Sequence, residues 1–139
     1  MRIALYQPDI AGNVGTILRL AACMGVAVDL IEPMGFAFGD RALARAGMDY
    51  AGAASVTRHA DWAAFRAAVP GRLVLATTAG AIPLPAAHFA PGDVLLFGSE
   101  SAGVPHHVHE VVAARVAIPM QPGFRSLNVA VAAGIALAE

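Results

Sequence analysis

The sequence has no lysine, a single cysteine and few charges of either sign. One cysteine, Cys23, excludes an internal disulfide and is typical of a reducing compartment, so we expect a cytoplasmic protein. Nine arginines and ten acidic residues give a net charge of −1, which provides no general affinity for nucleic acid. An arginine-only basic set fits a GC-rich genome, but arginine also binds phosphate with two parallel hydrogen bonds. A local phosphate-binding patch is therefore compatible with the neutral total.

Long hydrophobic runs are also missing. The longest strongly apolar stretch without charge, residues 126–138, is too short to span a bilayer. We find no signal-peptide pattern at the start of the chain. Yet 58% of the 139 residues are hydrophobic and only 14% are charged. This predicts a single domain whose apolar surface is partly covered by a second copy, and therefore a homo-oligomer.

The hydrophobic pattern alternates between short apolar runs and helical periodicity. Strands are predicted at 2–6, 26–31, 55–58, 72–77, 93–97 and 115–118, the last of them closing the sheet. Helices are predicted at 13–25, 39–47, 61–69, 105–112 and 129–138, and a Pro-rich loop at 80–92. Apolar strands separated by helices are typical of a mostly parallel α/β sheet with helices on both faces.

The first helix contains a candidate anion site. Asn13 is predicted as its N-cap, and Gly15 allows another chain to approach its first turn. Arg19 falls outside the apolar stripe, about one turn later. Free N–H groups at a helix N-terminus together with a guanidinium suit a phosphate. The alternative is an arginine on the solvated face of an amphipathic helix.

Two further stretches join a strand to a helix through a glycine-containing loop. Gly98 and Gly103 have the spacing of a P-loop, but Val104 and Pro105 replace the lysine and hydroxyl residue that such a loop needs. This excludes a P-loop nucleoside triphosphatase, and no GxGxxG follows the first strand. The last loop leads to Ser126, the predicted N-cap of the final helix. The histidines at 106, 107 and 109 have no cysteine or carboxylate cluster nearby, so no metal site is expected.

These stretches together resemble the SpoU/TrmH branch of the SPOUT methyltransferases. The three motifs are Asn13-x-Gly15-x-x-x-Arg19, Phe97-Gly-Ser-Glu-Ser-Ala-Gly103 and Ile118-Pro-Met…Ser126-Leu-Asn128. Their order and spacing match over the whole chain. The short length and the segments Ile31-Glu-Pro-Met-Gly-Phe36 and Ala46-Gly-Met-Asp-Tyr50 resemble the TrmL (YibK-like) group in particular. Those enzymes methylate the ribose 2′-oxygen of the wobble nucleotide, a cytidine or modified uridine, of leucine tRNAs.

The resemblance implies a fold, a cofactor and a set of site residues. It implies a C-terminal deep trefoil knot, a homodimer through the last helix, and S-adenosylmethionine (AdoMet) bound in the knot. Arg19 corresponds to the family's catalytic arginine, which we interpret as an electrostatic clamp on the RNA. The cofactor contacts would be Ala76, Gly98, Ile118, Met120, Ser126, Leu127 and Asn128, supported by Asn13, Gly15, Glu100 and Gly103. Arg2, Arg41, Arg45 and Arg125 are candidates for RNA binding.

Three departures from the family pattern bear on the substrate. Ala102 replaces an arginine that many close relatives have after the second-motif acid. The third motif continues Val129-Ala-Val-Ala where the TrmL group often has Leu-Ser-Asn. The family also continues past the position of Glu139 into an aromatic-rich end, so this chain is expected to be shortened there. A SPOUT methylase for another tRNA or rRNA site, and a non-catalytic nucleotide- or RNA-binding α/β module, are the alternatives.

Overall fold

A parallel sheet of seven strands forms the frame of the molecule. The computed structural model describes residues 1–36, 55–79, 82–124 and 126–138. The strands are β1 (Arg2–Tyr6), β2 (Ala27–Ile31), β3 (Val56–His59), β4 (Leu73–Ala76), β5 (Ile82–Pro83), β6 (Val94–Phe97) and β7 (Ala114–Ala117). They lie in the order β3-β2-β1-β6-β4-β7-β5, and each neighbouring pair is parallel. The predicted α/β class is confirmed.

Helices cover both faces of this sheet. They are α1 (Ala11–Met24), α2 (Trp62–Ala68), α3 (His106–Val111) and α4 (Val129–Ala138), and a short 3₁₀ turn spans Leu84–Ala86. α1 and α4 bury one face with residues such as Ile17 and Ala133. α2 and α3 bury the other face through Phe65 and Val108. The helix predicted at 39–47 lies outside the described residues.

The prediction that 80–92 is only a loop was wrong. β5 lies within it and pairs with β7, so β5 is the edge strand and β7 does not close the sheet. A strand of two residues that contains Pro83 has neither the length nor the β-branched composition that sequence patterns detect. Proline is tolerated there because an edge strand needs hydrogen bonds on one side only.

Both predicted N-caps of the principal helices were wrong. α1 begins at Ala11, after Ile10, which makes no side-chain cap, and Asn13 lies inside the first turn. α4 begins at Val129, and Asn128 rather than Ser126 is its cap. The Asn128 Oδ1 accepts the N–H groups of Ala130 at 2.8 Å and Val131 at 3.3 Å. Asp61 caps α2, since its carboxylate accepts the Ala64 N–H at 2.8 Å.

A buried ion cluster connects β1, β2 and β3. Asp29 is completely buried in β2. Its carboxylate accepts Nε and Nη2 of Arg2 at 2.8 and 2.9 Å, and it contacts Nε2 of His59 at 2.8 Å. These partners satisfy a charge that would otherwise be expensive to bury. Within the described ranges, the helices are all too short or too polar to cross a membrane.

A second ion pair carries a prediction about stability. Asp93 is 2% exposed, and Arg72 binds it with Nε and Nη2 at 2.9 and 2.6 Å. The Ala90 N–H also donates to this carboxylate, at 2.9 Å. Chiefly because of the hydrogen bonds from Arg72, the pKa of Asp93 is lowered from its ordinary 3.8. A carboxyl whose pKa falls on folding stabilises the folded state above pH 3.8, and this stabilisation is lost as pH falls through the lowered value.

We expect Asp93→Asn to lower the free energy of unfolding by about 2 kcal/mol at pH 7, because charge-assisted hydrogen bonds to a buried group are lost. The variant should also show a shallower loss of stability in acid. Urea denaturation between pH 3 and pH 7 measures both effects. Glu110→Gln is the matched control, since its pair with His106 is exposed on both sides and should change stability by less than about 1 kcal/mol. Equal effects of the two substitutions would contradict the prediction.

Candidate active site

Three loops meet at one edge of the sheet because the strands before them are parallel neighbours. β6, β4 and β7 lie side by side in that order. Residues 77–79 follow the carboxyl end of β4, residues 98–103 follow that of β6, and residues 118–124 follow that of β7. The Thr77 N–H donates to the Val116 oxygen over 2.9 Å and ties the first loop to β7. Open α/β folds bind ligands in the crevice at the carboxyl ends of their strands.

A cavity of about 500 Å³ lies between these loops, α1 and α4. Its volume is ordinary for a small-molecule site. The seven residues that the resemblance assigns to the cofactor all line it: Ala76, Gly98, Ile118, Met120, Ser126, Leu127 and Asn128. Asn13, Glu100 and Gly103 line it as well. Residues from three distant motifs are thus brought to one cavity, and their contact with a cofactor stays a prediction.

The sequence interpretation missed several lining residues. They are apolar or hydroxyl side chains to which the resemblance assigned no role: Ile10, Thr77, Thr78, Leu84, Phe97, Ser99, Val116, Val129, Ala132 and Ala136. Leu84 is 3% exposed and belongs to the 3₁₀ turn inside the segment predicted as a loop. Ala132 and Ala136 are four residues apart on α4, so one side of that helix forms a wall of the cavity. This helical spacing was the one signal that could have indicated it.

The second-motif loop is closed on itself by backbone hydrogen bonds. The N–H groups of Ser99 and Gly103 donate to each other's oxygens at 3.0 and 2.9 Å. The Ala102 N–H donates to the Ser99 hydroxyl at 3.1 Å. Gly103 has a φ of 65°, a conformation that favours glycine. A Cβ on Gly98 would lie 2.5 Å from the Gly103 carbonyl carbon. The loop therefore requires both glycines.

A carboxyl group marks the polar end of the cavity. Glu100 accepts the Asp9 N–H at 3.0 Å and the Asn13 side-chain amide at 3.4 Å. Burial, followed by a hydrogen bond with the Asp9 carboxyl, raises the pKa of Glu100 from its ordinary value. The same bond and the Ser101 hydroxyl lower the pKa of Asp9. These opposite directions indicate that Glu100 holds the proton of the pair more readily.

The predicted catalytic arginine is not part of the cavity lining. Arg19 is on the exposed side of α1, and Gly15 is buried on the same helix. Arg19 follows Asn13 by about 9 Å along the helix axis at the usual rise per residue. The catalytic role of Arg19 stays a prediction.

Of the four candidate RNA-binding arginines, the structure describes Arg2, which does not line the cavity. Arg2 is paired with Val94 at the start of β6, so it lies at the opposite edge of the sheet. Its guanidinium is held by Asp29. Arg41, Arg45 and Arg125 lie outside the described residues. Over the described ranges, no three His, Cys, Asp or Glu side chains cluster closely enough to hold a metal ion.

Comparisons with known proteins agree with this geometry. The model of the SpoU rRNA methylase family matches residues 1–138. The tRNA (cytidine(34)-2'-O)-methyltransferase of Beijerinckia indica is 52% identical over 140 residues, which cover 99% of this chain and 88% of the relative. A solved structure concerned with the 2-OH methylation of C/U34 on tRNA superposes with a TM-score of 0.94 at 40% identity, covering 99% of this chain and 91% of the other.

An AdoMet-bound rRNA methyltransferase from Sinorhizobium meliloti superposes with a TM-score of 0.86 at 30% identity. The match covers 98% of this chain and 53% of that one. The family match over nearly the whole chain and the relative at 52% identity agree with the three motifs. The chain therefore belongs to the SpoU rRNA methylase family and is an RNA methyltransferase of its SpoU/TrmH branch.

Proposed function

We propose that this protein transfers a methyl group from AdoMet to the ribose 2′-oxygen of the wobble nucleotide of tRNA, a cytidine or uridine, in leucine tRNAs. One observation carries the proposal. Ala76 and six residues of the second and third motifs line a single cavity at the carboxyl edge of the sheet, together with Asn13 of the first motif. The names of the relatives, tRNA (cytidine(34)-2'-O)-methyltransferases, support the choice of nucleotide.

The cavity lining suits AdoMet in both polarity and size. Its walls are largely apolar and include Leu84, Ile118 and Ala136, which suit the flat face of an adenine. Polar groups of Asn13, Glu100 and Asn128 are gathered at the other part of the lining. The apolar walls would contact the heterocycle of the ligand, and the polar groups would contact its charged portion. When bound, AdoMet supplies an electrophilic methyl group on its sulfonium.

The residues of this chain would act mainly by positioning. Methyl transfer to oxygen is an in-line displacement, so the ribose oxygen must be aligned with the methyl carbon. A ribose hydroxyl is a weak nucleophile and must lose its proton as it attacks. Arg19 is a poor base because a guanidinium keeps its protons at neutral pH. We assign it instead to hold the phosphate or ribose and to stabilise negative charge that develops on the oxygen.

The decisive experiment uses labelled AdoMet and total tRNA from a strain that lacks the endogenous wobble methylase. We expect one labelled 2′-O-methylated nucleoside, which nuclease mapping places at the wobble position of leucine tRNAs. Label at another tRNA or rRNA position would support a SPOUT methylase with a different substrate. AdoMet binding without transfer to any RNA would support the non-catalytic module. Each of these results would contradict the proposal as stated.

We further infer that the protein is a homodimer that pairs through α4. Val131 and Ile135 are 52% and 39% exposed and lie four residues apart on one side of the helix, and Leu127, which is 39% exposed, lies four residues before Val131, just ahead of the helix. The opposite side, including Ala133, is buried against the domain. A continuous apolar stripe on a small domain is typical of a subunit interface.

Val131→Glu should convert the dimer to a monomer, because it would bury a carboxylate in an apolar contact. We expect the dimer dissociation constant to rise by about a hundredfold, which is about 2.7 kcal/mol. Sedimentation equilibrium measures it. Val111→Glu is the matched control, since Val111 is 56% exposed on α3, away from the stripe. A Val131→Glu protein that remains a dimer would exclude this interface.

The deep trefoil knot and a cytoplasmic location complete the proposal. The knot is supported by the TM-scores of 0.94 and 0.86 with the methyltransferase structures, because superposition at this level carries the same path of the chain. The location is supported by the tRNA substrate and by Cys23, an exposed thiol compatible with a reducing compartment.

A further inference from the structure

Asp9 lies outside all three motifs but contacts the second-motif loop closely. It is in the segment between β1 and α1. Its N–H donates to Glu100 Oε2 at 3.0 Å, and its Oδ2 accepts the Ser101 hydroxyl. Its own main chain is enclosed on the other side, since a Cβ on Gly35 would lie 2.9 Å from the Asp9 Cα. Asp9 is therefore held between two loops.

From Glu100 a chain of side-chain hydrogen bonds runs to the last helix. The Asn13 Nδ2 donates to Glu100 Oε1 at 3.4 Å. The Asn128 Nδ2 donates to Asn13 Oδ1 at 2.9 Å. The Asn128 Oδ1 accepts the N–H of Ala130 at 2.8 Å. This chain joins the second-motif loop, α1 and α4, and three of its members line the cavity.

The direction of every bond in this chain is fixed by its ends. The N–H groups at the start of α4 can only donate, so they require the oxygen of the Asn128 amide. The Asn128 nitrogen must then face the Asn13 oxygen. The Asn13 nitrogen is left facing Glu100, whose carboxyl oxygen accepts it. No amide in the chain can flip without placing two donors or two acceptors opposite each other.

We propose that Asp9 and Ser101 are positioning residues for methyl transfer, which hold Glu100 so that it orients the Asn13 and Asn128 amides at the cavity. The inference rests on the proposed function and extends it to two residues to which the resemblance assigns no role. Asp9 Oδ1 is buried and accepts no hydrogen bond from an N–H or hydroxyl group of the described residues, which leaves it to the hydrogen bond that Asp9 shares with the Glu100 carboxyl.

An exchange of groups tests the direction of the chain. Asn13→Asp places an acceptor against the Glu100 carboxyl, and Glu100→Gln places a donor against the Asn13 amide. The double variant Asn13→Asp/Glu100→Gln restores each pair, since the carboxylate introduced at position 13 would accept from both neighbours. We expect each single variant to weaken AdoMet binding about tenfold, the loss of one hydrogen bond to or from a charged group. The double variant should recover to within about threefold of the wild type.

A second set of variants tests Asp9 and Ser101 themselves. Ser101→Ala should lower kcat about tenfold, the equivalent of one charge-assisted hydrogen bond, and leave the KM for tRNA within about twofold. Ser101→Thr keeps the hydroxyl and should recover most of kcat. Asp9→Asn should behave as Ser101→Ala does. Ser55→Ala, at an exposed serine before β3, is the matched control and should keep the wild-type kcat.

Each result bears on one of the two proposals. A double variant no better than the single ones would overturn the bond directions. A wild-type kcat in Ser101→Ala and Asp9→Asn would overturn the positioning role. Absence of tRNA methylation by the wild type would contradict the proposed function instead. AdoMet affinity measured by calorimetry would then still test the chain of bonds, because it needs no RNA.

Discussion

Arg19→Ala should reduce methyl transfer to tRNA by about 10²- to 10⁴-fold, the range over which a single electrostatic or proton-transfer group contributes. AdoMet binding should change by less than about threefold, because Arg19 is on the exposed side of α1 and the lining residues lie elsewhere. The physical reason is that a guanidinium can stabilise charge on the attacking oxygen without touching the methyl donor. Single-turnover methylation and calorimetry with AdoMet measure the two quantities separately.

Two further substitutions test this prediction. Arg19→Lys keeps the charge but loses the two-pronged geometry, so we expect an intermediate rate. Arg115→Ala removes an exposed arginine at β7, and it should leave kcat unchanged. If Arg19→Ala kept kcat within about threefold, the clamp would be excluded. If it abolished AdoMet binding as well, Arg19 would support the cavity and not the RNA.

The sequence predicted best those elements in which the spacing of apolar residues reflects burial. β1 was predicted at its observed bounds, because it is an apolar run whose ends are marked by polar or turn-forming residues. The parallel orientation of the strands was predicted from the alternation of strands and helices along the chain. The convergence of Gly98, Ile118 and Ser126 was not visible in the pattern, and only the resemblance to a family indicated it.

The errors come from choices that only tertiary contacts decide. Ser126 and Asn128 are both good N-caps, and local chemistry does not distinguish them. Asn128 is selected because the burial of Ala130 and Ala133 fixes where α4 begins, and because its nitrogen meets Asn13. Asn13 in turn bonds to the side chains of Glu100 and Asn128 and does not cap α1. A propensity argument treats each residue alone, whereas the Asn128 amide bonds both to the start of α4 and to Asn13 in α1.

Gly98→Ala is expected to have the second large effect, and it acts on the cavity itself. The added Cβ would lie 2.5 Å from the Gly103 carbonyl carbon and 2.7 Å from its Cα. Both are backbone atoms in a loop closed by two hydrogen bonds with Ser99, so the loop must move as a unit. Overpacking of this kind costs about 1–3 kcal/mol. Because the loop lines the cavity, we expect AdoMet affinity to fall about 10- to 100-fold.

Gly92→Ala provides the matched control for this prediction. Gly92 stands before the same strand, β6, at its amino end, and a Cβ there would meet nothing within 4 Å. The same substitution at the two ends of one strand therefore differs only in what the methyl group meets. Calorimetry with AdoMet should show normal affinity for Gly92→Ala and weakened affinity for Gly98→Ala, with both proteins folded by circular dichroism. Equal affinities would mean that the loop between Gly98 and Gly103 does not shape the site for the methyl donor.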